Sequence, residues 1–179
     1  MSERAGDLVH GAIRLESDQV PEVSVVWFRE LFHEAWDLVP GEYQMQLEAY
    51  WRGRIAPPNC YKSPLFKDSY DPRIILLRHD GLPGVNHGGH LVFMPLGRLM
   101  VMPRKVAVLA VTHELVHISF HAEGEPQHWR LNGAGPTNYN ASERLVDERL
   151  LDWGFSKAEL DAADRWLADH GLQRFENLA

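Results

Sequence analysis

The apolar positions of the first half of the chain recur at two spacings. From Pro21 onward Val25, Phe28, Leu31, Phe32 and Trp36 fall on one helical face, which predicts a helix ending at Pro40-Gly41. Pro21 suits a first helical position, where its missing N–H costs nothing. A second helix is expected over Glu42 to Arg52, where Tyr43, Met45, Leu47, Tyr50 and Trp51 are less regular and read as core. Ahead of both, Leu8 to Leu15 forms a short strand or an ordered arm. Residues 55–71 are irregular, broken by Pro57, Pro58 and Pro64. The spacing then changes. Ile74 to Leu77 is a short apolar run closed by the turn residues Asp80-Gly81 and predicts a buried strand. Leu91 to Met94 and Leu99 to Met102 predict two more strands around Pro95 to Arg98.

From Pro103 to about His121 the pattern has no polar side. Val106, Val108, Leu109, Val111, Leu115, Val116 and Ile118 point in most directions of a helix, and a helix apolar all round is buried. His121 to Thr137 reads as a polar loop. Asn140 is expected to cap a helix that runs through Trp153 and stops at Gly154. Ser156-Lys157-Ala158-Glu159 is a capping box for a last helix, which Gly171 can end. The order of elements predicts an α+β fold in one domain over residues 1–179: a helical N-terminal part (1–70), short strands (71–102), the buried helix (103–121) and C-terminal helices (140–171).

Composition narrows the function. At 179 residues and 45% hydrophobic, the chain suits one core. Its net charge of -7 and lack of any basic run argue against a nucleic acid partner. Cys60 is the one cysteine, so neither an internal disulfide nor a Cys-type zinc site can form. Met1 to Asp7 is polar and acidic, unlike a secretory leader. Val106 to Val111 is far too short for a bilayer. The expectation is a soluble, cytoplasmic protein with no membrane partner. Oligomeric state leaves no trace in the pattern.

The buried helix carries the chemistry. His113-Glu114-x-x-His117 puts two imidazoles one turn apart on one face, the spacing that binds one zinc ion (Zn2+), with Glu114 beside them to act on the activated water. Polar groups on such a helix need partners, and a metal supplies one. A catalytic zinc takes a third protein ligand. His121 continues the spacing, but along a straight helix His113 and His121 stand roughly 12 Å apart, too far for one ion. His128 lies in the loop and could fold back. Glu143 lies on the next helix, with Asp147 one turn beyond it. Glu143 can bind the ion while Asp147 accepts the spare N–H of a ligand histidine, fixing its ring. Glu143 also has a plain reading, as a third helical residue reaching back to the Asn140 cap. Asp147 has one too, as a partner of Arg144 or Arg149. His87 and His90, in a Gly-rich loop, read as exposed loop histidines that line a cleft or bind a second metal only in the sharper reading.

His113-Glu114-x-x-His117 followed by Glu143-x-x-x-Asp147 resembles the gluzincin zinc metallopeptidases, and the short gap and small size resemble their compact ImmA/IrrE-like branch. Val146 stands where that branch has a small residue. The resemblance covers about residues 90 to 155. It implies a zincin-like fold, with Glu143 as third ligand, Asp147 supporting the first histidine, and a peptide or protein substrate. It also implies an edge strand beside the active-site helix on which the substrate lies, and Leu91 to Met94 is the segment best placed by order. Glu114 would serve as general base. Tyr139, His128 and His121 are candidates for a second donor to the oxyanion. Three alternatives remain: a zinc enzyme acting on a small molecule, a non-catalytic zinc protein, and a SprT-like DNA-associated protease with His128 as third ligand.

Overall fold

A computed structural model describes residues 8–10, 13–17, 20–52, 73–78, 83–85, 91–123 and 136–171. The chain divides into two compact units, 1–124 and 125–179. Both helices and strands are present, in keeping with the α+β expectation.

The first unit opens with β1 (Leu8–His10) and β2 (Ile13–Glu16), an antiparallel pair. Two helices follow, α1 (Glu22–Asp37) and α2 (Gly41–Trp51). Each begins just after a proline, Pro21 and Pro40, whose carbonyl accepts the first backbone N–H groups of its helix. Of the face predicted for α1, Phe28, Leu31, Phe32 and Trp36 are buried and Val25 is half-buried, with Ala35 also inside. Phe32 stacks on Trp36 at 5.8 Å between ring centres. In α2, Leu47, Tyr50 and Trp51 are buried, whereas Met45 is 71% exposed.

Next come β3 (Arg73–Leu77), β4 (Gly84–Val85) and β5 (Leu91–Pro95). The sheet order is β1-β2-β3-β5-β4, with β2, β3 and β5 parallel and β4 antiparallel to β5. Register places Leu15, Ile74 and Val92 in one row across three strands, and Leu76 opposite Met94 in the next. All five are buried. A period of two thus turns one side chain in two toward the core.

Two expectations change here. Leu91 to Met94 is not an edge, because β5 lies between β3 and β4; the edge on that side is β4. Leu99 to Met102 is not a strand. Pro95 caps a short helix, α3 (Leu96–Leu99), and a turn follows. Leu96 and Leu99 are buried one turn apart, while Met100 and Val101 face solvent. Of the four apolar residues Leu99 to Met102, only Leu99 and Met102 are buried.

The helix α4 (Arg104–Glu123) packs on α1 and α2 and touches β4. Every residue from Val111 to Ala122 is buried, as an all-round apolar pattern requires. At its start Arg104 makes hydrogen bonds through Nε and Nη2 to the Glu34 carboxylate of α1, the shortest 2.8 Å, and lies 5.3 Å from the centre of the Trp27 ring.

In the second unit, α5 spans Pro136–Asp152 and α6 spans Lys157–Asp169. The helix α5 starts four residues before Asn140, so Asn140 is inside it rather than its cap. Its end is as expected: Gly154 has φ +100°, Gly154 N–H donates to Leu151 O and Phe155 N–H to Leu150 O, closing a Schellman turn. Ser156 and Glu159 make the predicted capping box. Among the described residues no helix is long and apolar enough to cross a membrane.

Candidate metal centre

The helix α4 supplies two histidines because four residues advance it by just over one turn. The rings of His113 and His117 sit 4.8 Å apart between centres at 67°, and their Nε2 atoms face each other at 3.1 Å. Two nitrogens bonded at roughly 2.0–2.1 Å to one tetrahedral zinc stand about 3.3 Å apart. The pair therefore already has the bite of a chelate, and the same gap suits one shared proton between the rings. Both imidazoles are buried, as is Glu114 between them in sequence.

The third residue decides between proton and metal. One ligand atom from each of His113, His117 and Glu143 lies within 4.8 Å of the others, and this buried group could hold a metal ion. An ionised carboxylate only accepts hydrogen bonds, and a neutral imidazole nitrogen without its proton does likewise. A divalent cation satisfies all three acceptors together. Two imidazoles and a carboxylate suit zinc and other first-row divalent ions.

Glu143 owes its place to the phase of α5. It is 4% exposed and lies on the stripe that continues through Val146, Leu150 and Trp153, all buried. With α5 beginning at Pro136, Glu143 is no longer the third helical residue, and the cap-reaching reading lapses. Ser142 beside it is fully buried. Asp147, one turn on, is half-buried. Its charge contributes to the raised pKa of Lys157, which stems first from the hydrogen bond to Asp161, then from the charges of Asp161, Asp164 and Asp147.

The remaining candidates fall as follows. His121 is buried at 2% exposure on the unbroken end of α4, outside the His113, His117 and Glu143 group. Tyr139 lies on α5, with its side chain outside the described set. His87, His90, His128 and Cys60 lie outside the described residues. The hydroxyls of α4 beside the histidines are satisfied within the helix: Thr112 donates to Val108 O at 2.9 Å and Ser119 to Val116 O at 2.8 Å. In the sequence their one signal is a Thr and a Ser within an apolar run.

Comparisons with protein-family models, with curated proteins and with solved structures return no match.

Proposed function

We propose that the protein is a zinc-dependent hydrolase, specifically a metallopeptidase of the gluzincin type built on a zincin-like fold. The reading rests on one observation: the ligand atoms of His113, His117 and Glu143 lie within 4.8 Å of one another. Glu114 adds to it. A purely structural metal has no use for a buried carboxylate in the same turn.

His113 and His117 would hold the ion through Nε2 and Glu143 through a carboxylate oxygen. An ion held there would supply Lewis acidity toward an amide carbonyl and would lower the pKa of a bound water. Glu114 takes the proton of the attacking water and passes it to the leaving amine. Glu114 is buried at 6% exposure, which sets its carboxyl apart from bulk solvent. The resemblance would give Asp147 the role of supporting His113 through its spare N–H, but Nδ1 of His113 makes no hydrogen bond to it in the structure. The substrate would be a peptide in extended form. The side of β4 turned away from β5, an edge among the described residues and on a strand that touches α4, would offer it backbone hydrogen bonds.

The test is the metal content of the purified full chain beside Glu143→Ala and His128→Ala. One zinc per chain, lost in Glu143→Ala and kept in His128→Ala, supports the assignment. Loss only in His128→Ala moves the protein to the SprT-like arrangement. A wild-type chain that binds no metal under any condition ends the proposal. Hydrolysis of unstructured peptides by wild type, absent in Glu114→Gln, then separates a peptidase from a zinc enzyme of small molecules.

A further inference from the structure

We draw no further inference here: the strongest candidate, the exposed apolar residues Val23 and Val26 of α1 and Met100 and Val101 ahead of α4, has nothing in the structure to show what covers it.

Discussion

The helices α4 and α6 obey opposite rules. The last helix is locally self-sufficient. It has a capping box, a Lys157–Asp161 pair at 2.7 Å one turn apart, and a narrow buried stripe of Leu160, Ala163 and Leu167. Its features can be deduced from neighbours in sequence. By contrast, α4 breaks local rules. It has no acidic residue in its first turn and carries a cation, Arg104, at the end where the helix dipole is positive. It buries three histidines and a glutamate among mostly apolar side chains. What holds it is tertiary: α1 and α2 packed along it, and Glu34 and Trp27 receiving Arg104. Helices that satisfy themselves can sit at the surface. A helix whose polar groups need outside partners is where the candidate metal centre lies.

That contrast can be broken by substitution. The largest expected effect is on activity. Glu114→Gln should lower peptide hydrolysis by about 10²–10⁴-fold or more, with zinc still bound at one per chain. Loss of zinc in that variant would make Glu114 a ligand and reverse its role. In the core of α4, Leu115→Ala should cost about 2–5 kcal/mol in denaturant unfolding, because Leu115 is 1% exposed. A cost below 1 kcal/mol would show that α4 is not clamped as described.

Removing the metal comes next. Zinc at roughly 100 times its Kd should stabilise the chain by about 2.7 kcal/mol. For a chain of this size that is a melting shift of about 5–10 °C between chelated and zinc-loaded protein. No shift, with binding shown independently, would mean that the ion holds nothing in place. For α6, Ser156→Ala should cost only about 1 kcal/mol, read as a small drop in melting temperature with activity unchanged.

The smallest effect concerns the Arg104 clamp. The hydrogen bond from Arg104 holds the Glu34 carboxyl below its usual pKa, against a weaker opposing effect of desolvation. A lowered carboxylate pKa gives stability that is present above the unfolded value and is lost as pH falls through the folded one. Glu34→Gln should therefore be slightly less stable than wild type at neutral pH, and the gap should close under acid. The pair is exposed to solvent, so the gap should also shrink with salt. A gap that persists at low pH would point to packing rather than charge.

Much of this fold could be read from the chain, and the failures have physical causes. The faces of α1 and the caps of α6 depend on residues a few positions apart, so the pattern holds them. The start of α5 misled because Asn140 resembles a cap and Thr137 and Asn138 resemble a loop, while the helix begins at Pro136. The strand β4 has two residues, too few to show any period. Leu99 to Met102 is apolar in composition but turns Met100 and Val101 outward. The site divides in the same way. His113 and His117 share one helix, and their convergence follows from its pitch. Glu143, the third residue of the group, lies 26 positions beyond His117, and the sequence favours it over His128 while leaving His128 open as the alternative. Burial on the stripe of Val146 and Leu150 separates Glu143 from an ordinary surface acid.

Packing along α1 and α2 makes α4 a gauge of fixed length. Arg104 is tied to α1, and nine residues later His113 must face its partners. A single residue inserted or deleted between them would swing both imidazoles by about 100° around the helix axis and slide them by about 1.5 Å. An aliphatic exchange in the same interval would leave their bearing untouched. Within this segment evolutionary change should arrive as replacement, never as gain or loss of a residue. A sequence descended from this one with an altered count between Arg104 and His113 should have given up the site, whatever else it retains.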